Sequence, residues 1–131
     1  MSKKKEIRKT FKDEVFKRDN YTCKVCGNGP YKELADRFFD AHHITDRSEM
    51  PNGGYVKENG ITVCKEPKGL ISKDGIDGIT DFEIQSSSCH MKCEIFHISS
   101  GTEWDKGLHP DDLYIKINSS KSLAIEKSEL L

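Results

Sequence analysis

The chain has 131 residues, 34% of them hydrophobic and 33% charged, with a formal net charge of −1. Even with its 10 glycines added, the apolar share stays below the about 45–50% of an ordinary soluble domain, and the mean hydropathy is −0.69. A single domain over 1–131 is expected: no apolar run reaches the roughly 18 residues of a membrane span, and the charged start has no apolar leader, which points to an intracellular, cytoplasmic protein.

In chain order, residues 1–20 carry eight cations against four carboxylates. Residues 1–9 read as a basic arm, either a solubilising terminus or one that neutralises phosphates with salt-sensitive affinity. A helix is expected over 10–19, with Thr10 as N-cap, Asp13 three residues on, and Phe11 and Val15 on one face. Asn20 is its stop. Cys23, Cys26 and Gly27 then form a tight turn with two inward thiols, and 27–33 is loop. Phe38, Phe39 and the run Asp40 to Ile44 look most like a strand entering the core. A polar loop follows, with its tip at 51–54, and then a β-branched strand over 61–64.

Residues 65–88 change in character. Two Asp-Gly pairs and some alternating apolar residues predict an inserted, hairpin-like excursion, whose aspartate spacing is not that of a calcium loop. Ser88 is a candidate N-cap for a helix over 89–98. On that helix His90, Glu94 and His97 form one stripe, flanked by Cys89/Cys93/Phe96 and Met91/Ile95/Ile98. The C-terminal extension, 110–131, ends in helix formers from Ser122. Its alternation of Leu113, Ile115 and Ile117 fits a strand or a helix.

Five cysteines, an odd number without an export signal, argue for metal or reduced thiols over a disulfide framework. Cys23-x2-Cys26 offers two zinc ligands from one turn, and the two that complete a tetrahedron come from Cys64, Cys89 and Cys93. Such a closed site would staple a poorly cored chain. A thiol redox pair is the competing reading, though no βαβ pattern surrounds the motif. His42 and His43, adjacent on a strand, face opposite ways unless the strand ends or bends there.

The stretches FKRDNYTCKVCG at 16–27, AHHI at 41–44, ENGITVC at 58–64 and CHMK at 89–92 resemble the HNH endonuclease family. The resemblance implies an α+β fold: a small ββα-metal core with a zinc knuckle, an N-terminal helix and the inserted segment. It puts His43 on the general base, His42 and His90 on the ligands of a catalytic divalent ion such as Mg²⁺, and Asn59 on the residue that ties the two strands together. Relatives hold their third and fourth cysteines two apart, directly before the last histidine. Removing about 22 residues between Cys64 and Cys89 restores both that pair and the short Asn-to-His spacing. This selects Cys23, Cys26, Cys64 and Cys89 for structural Zn²⁺ and leaves Cys93 over. Where many relatives carry a further histidine the chain has Glu94, a candidate additional ligand.

The implied activity is metal-dependent hydrolysis of DNA phosphodiester bonds, leaving 5′-phosphate and 3′-hydroxyl ends. Arg47 is a candidate phosphate contact. Sequence choice would be weak or supplied by a partner protein. The alternative is a catalytically silent zinc-ribbon module that binds nucleic acid through its basic arm.

Overall fold

The computed structural model describes residues 3–65, 89–90, 93 and 107–131. Among them, helices surround a two-stranded antiparallel sheet, a mixed α+β arrangement. Helix α1 (Lys3–Arg18) is followed by the short α2 (Ala35–Phe38), strand β1 (Phe39–His43), three 3₁₀ turns and strand β2 (Gly60–Cys64). Helices α3 (Pro110–Lys116) and α4 (Lys121–Glu129) close the described chain. Among the described residues no helix is long and apolar enough to cross a membrane.

Helix α1 begins well before residue 10, so Thr10 lies inside it and most of the expected basic arm is its first half. Ile7, Phe11 and Val15 fall at i, i+4 and i+8, a stripe that runs through the supposed arm. Glu6 in the first turn and Lys17 and Arg18 in the last also suit the helix dipole. Phe11, Val15 and Phe16 are buried, as the helical spacing predicts. After Arg18, Asn20 and Tyr21 both take a left-handed φ of 53° and turn the chain away.

Helix α1 packs on β2 at closest approach over Gly60. A Cβ there would lie 2.5 Å from Val15 Cγ2 and 2.7 Å from Phe11 Cε1, so only glycine lets the helix come this near. The contact is pinned by a polar knot. Asp19, whose side chain is 2% exposed, accepts from Thr62 N at 2.9 Å and from the Arg18 guanidinium fork at 2.8 Å on each oxygen. Arg18 also donates to the carbonyls of Gly60 and Lys57. A buried carboxylate satisfied in this way costs little, but stripped of its partners it would be strongly destabilising.

Strands β1 and β2 pair with Phe39 opposite Cys64, His42 opposite Ile61 and His43 opposite Gly60. Phe38, expected in the strand, ends α2 instead. The core is built on Phe16, Phe39, Ile61 and Val63, with Leu113, Tyr114, Ile117 and Ala124 packed from the C-terminal helices.

At 110–116 the chain is helical, which resolves the ambiguity there. Leu113 and Ile117 are buried while Ile115 is 71% exposed. The apparent alternation therefore contained an i, i+4 pair facing the core. Pro110 stands in the first turn and His109 Nδ1 accepts from Asp111 N at 3.1 Å, so the start was capped locally. The helix formers near the C-terminus do form α4. Apart from Lys65, the expected hairpin-like excursion over 65–88 lies outside the described residues.

Candidate metal centre and active site

The sulfur centre starts in the turn after α1. Gly27 takes a φ of 80° and donates its N–H to Cys23 O at 2.9 Å, which closes the turn and sets Cys23 and Cys26 side by side. Strand β2 delivers Cys64 at its end, and Cys89 enters from a helical residue. The four Sγ atoms of Cys23, Cys26, Cys64 and Cys89 lie within 4.8 Å of one another.

This geometry fits zinc. Bonds of about 2.3 Å in a tetrahedron separate sulfurs by about 3.8 Å, and Cys26 and Cys64 are 3.5 Å apart. Two donors already point at the sulfurs: Cys26 N lies 3.4 Å from Cys23 Sγ, and Asn28 Nδ2 lies 3.9 Å from Cys64 Sγ. The crowded thiols share protons unequally. Hydrogen bonds from Cys64 and Cys89 hold the Cys23 thiol far below its ordinary value, while the same contacts with Cys23 push Cys64 up and Cys89 up to about 12. Cys93 is buried in the adjacent core and stands outside the set. Among the described residues, these cysteines are the only group of three or more such ligands gathered this closely.

The imidazoles gather on β1. His42 is buried, and its ring lies 5.2 Å from that of His90, edge to face. His43 stacks on Phe11 of α1 at 4.5 Å and meets Tyr55 edge-on at 4.7 Å. His43 and His90 line one cavity of about 380 Å³, together with Asp40, Arg8 and Arg47. His42 is buried and is not among the residues that line it.

Asp40 was not singled out from the sequence, yet it orients the group. His90 Nδ1 donates to Asp40 Oδ2 at 2.7 Å. That bond fixes the tautomer and leaves the lone pair on Nε2. Its signal was present in the sequence: Asp40 and His42 are two apart on a strand and so share a face.

Asn59 is 0% exposed and every hydrogen-bonding position of its amide is used. Its Oδ1 accepts from Thr45 N at 3.0 Å and from Tyr114 Oη at 2.7 Å. Its Nδ2 donates to Thr45 O at 3.1 Å and to Gly54 O at 3.2 Å. The residue clamps the chain leaving β1 to the turn entering β2. Tyr114 was the part not foreseen. It comes from α3 and is shared with Thr45 Oγ1 at 2.7 Å. Burial raises the Tyr114 hydroxyl above its ordinary value, so it stays a donor.

Arg47 lies exposed on the first 3₁₀ turn, at the cavity rim, and donates to Tyr55 Oη at 3.0 Å. Glu94 and His97 lie outside the described residues. Cys89, His90 and Cys93 are helical, in keeping with the helix expected from 89. Compared with known proteins, the chain matches no family model, no curated protein and no solved structure.

Proposed function

We propose that the protein is a metal-dependent endonuclease of the HNH kind that hydrolyses DNA phosphodiester bonds, with the ββα-metal core its resemblance implies. The observation that carries this reading is the grouping at one cavity: His43 in its wall, His42 beside His90, and His90 held by Asp40. A purely structural zinc module needs none of these.

On this reading His43 takes the proton from the attacking water, since an imidazole titrates close to neutral pH. Its Nε2 is buried, so the base nitrogen is Nδ1. Phe11 and Tyr55 fix the plane of the ring. Asn59 holds the strand ends from which His43 and the phosphate contacts project. His42 and His90 would hold a divalent ion through their ring nitrogens. That ion would stabilise negative charge growing on the phosphate and on the leaving 3′ oxygen. Zn²⁺ on the four cysteines would be structural only.

The test is nicking of supercoiled plasmid in Mg²⁺, Mn²⁺ or Ni²⁺. His43→Ala should lose at least about a hundredfold in rate while keeping its zinc, its melting temperature lowered only by the lost stacking on Phe11 and Tyr55. Retained cleavage would remove His43 as base. The second reading, a silent zinc-binding module on nucleic acid, is favoured by the cysteine set being the only such ligand cluster among the described residues. It predicts no metal-dependent cutting at all.

A further inference from the structure

The cavity has a second wall that the mechanism above leaves unused. Arg8 of α1 and Arg47 of the turn after β1, distant in sequence, both reach Tyr55. Arg47 Nη1 donates to the hydroxyl at 3.0 Å, and the Arg8 guanidinium carbon lies 5.9 Å from the ring centroid. Tyr55 is itself fixed, edge-on to Phe11 at 5.7 Å and to His43 at 4.7 Å. It therefore acts as a post that carries two cations beside the catalytic imidazole.

Two guanidinium groups thus converge on one post, with the Asp46 carboxylate also in the lining of the cavity. The local field is strong enough to register on Tyr55. Burial pushes its hydroxyl up, but the contact with Arg47 and the charge of Arg8 outweigh that and bring it below its ordinary value. The Lys12 side chain lines the same cavity, though it is paired with Asp36 at 2.7 Å. The opposite wall is different in kind: Asp40 bonded to His90, with His43 beside them. Planar guanidinium forks match phosphate oxygens in pairs. A volume of about 380 Å³ is at the small end of ligand sites, enough for a nucleotide-sized piece of backbone and too small for a protein element.

We propose that Arg8, Arg47 and Tyr55 form a phosphate clasp that grips the DNA backbone phosphate next to the one attacked at His43 and so sets the strand in the cavity. This rests on the nuclease reading of the same cavity. It makes the first half of α1 part of the site.

The experiment uses the full chain carrying His43→Ala, so that bound DNA stays intact, with anisotropy of a labelled short duplex followed across salt concentrations. Adding Arg8→Ala with Arg47→Ala should weaken binding about tenfold and lower the magnitude of the log–log salt slope by about one, because both arginines share one phosphate. Arg8→Lys with Arg47→Lys should keep the slope while losing affinity, since charge survives without the fork. Tyr55→Phe should do likewise to a smaller extent, because Arg47 loses the hydroxyl it donates to while Arg8 keeps the ring. Unchanged affinity and slope in the double alanine variant would overturn the clasp. So would shifts of the arginine side-chain NMR signals with inorganic phosphate but none with the duplex, which would mark a free-anion site. Plasmid nicking by the parent chain separates the two readings. Nicking with no arginine effect on binding removes the clasp alone, and an arginine effect without nicking removes the nuclease and keeps a DNA-phosphate clasp.

Discussion

The cysteine cluster and the histidine cavity share one sheet but differ in almost every physical respect. Cys64 ends the ladder on one side, opposite Phe39, and His43 ends it on the other, opposite Gly60. At the first end four soft thiols close on one another, three of them buried. At the second, imidazoles and the carboxylates of Asp40 and Asp46 border an open cavity. A closed thiolate tetrahedron leaves a metal nothing to do except hold the chain together, whereas nitrogen and oxygen donors beside open space leave room for a substrate. The two meet at consecutive residues: Cys89 belongs to the cluster and His90 to the cavity. A metal on the cluster would therefore position a member of the proposed active site.

Breaking the sulfur end should produce the largest effect. Cys23→Ser should release zinc, as read by a colorimetric chelator, and lower stability on the order of 5 kcal/mol, because metal binding is folding free energy here. Cys93→Ala should keep its zinc. Zinc loss from Cys93→Ala and not from Cys89→Ala would reverse the assignment of the fourth ligand. Thiols must shed their protons to bind, so zinc-dependent stability should fall as pH falls. Nicking should decline along with the zinc, since His90 follows Cys89.

The cavity end should respond in activity and not in fold. Asp40→Asn keeps an acceptor for His90 but removes the charge. It should reduce nicking about 10- to 100-fold and raise the metal concentration needed, with melting nearly unchanged. Equal cleavage at every metal concentration would mean that Asp40 merely decorates the rim.

Tyr114→Phe tests the brace between the C-terminal helices and the clamp. It leaves Thr45 Oγ1 and one Asn59 lone pair without their buried partner, for a loss of about 1–2 kcal/mol in chemical denaturation. The smallest change belongs to the surface. Lys12 holds the Asp36 carboxyl below its ordinary 3.8, so any stabilisation is present above that value and disappears as pH falls through the lowered one. With Asp36 76% exposed, Asp36→Asn should cost less than about 1 kcal/mol at neutral pH.

The parts of this molecule that could be read in its sequence are those whose chemistry is local. A C-x2-C turn, a β-branched strand entering Cys64 and the Phe11/Val15 face each carry their instruction within a few residues. The choice of Cys64 and Cys89 over Cys93 came through the HNH resemblance, against whose pattern one excursion accounts for two irregular spacings. Asn59 was singled out only through the HNH resemblance, since an asparagine at the entry to a strand is otherwise an ordinary turn residue.

What only the tertiary structure decided is which distant faces meet. Asp40 could be read as a strand residue, but its bond to His90 depends on the approach of an element 50 residues away. Tyr114 reaches Asn59 because α3 buries Leu113 and Ile117, a choice its alternating sequence left open between strand and helix. Arg8 lay in what read as a charged arm until α1 was seen to extend through it and dock over Gly60. Local spacing determines ligand types and strand edges, because those follow from backbone geometry over a few residues. Partners for buried polar and charged groups are determined by packing, since their desolvation is offset only by whichever element arrives to pair with them.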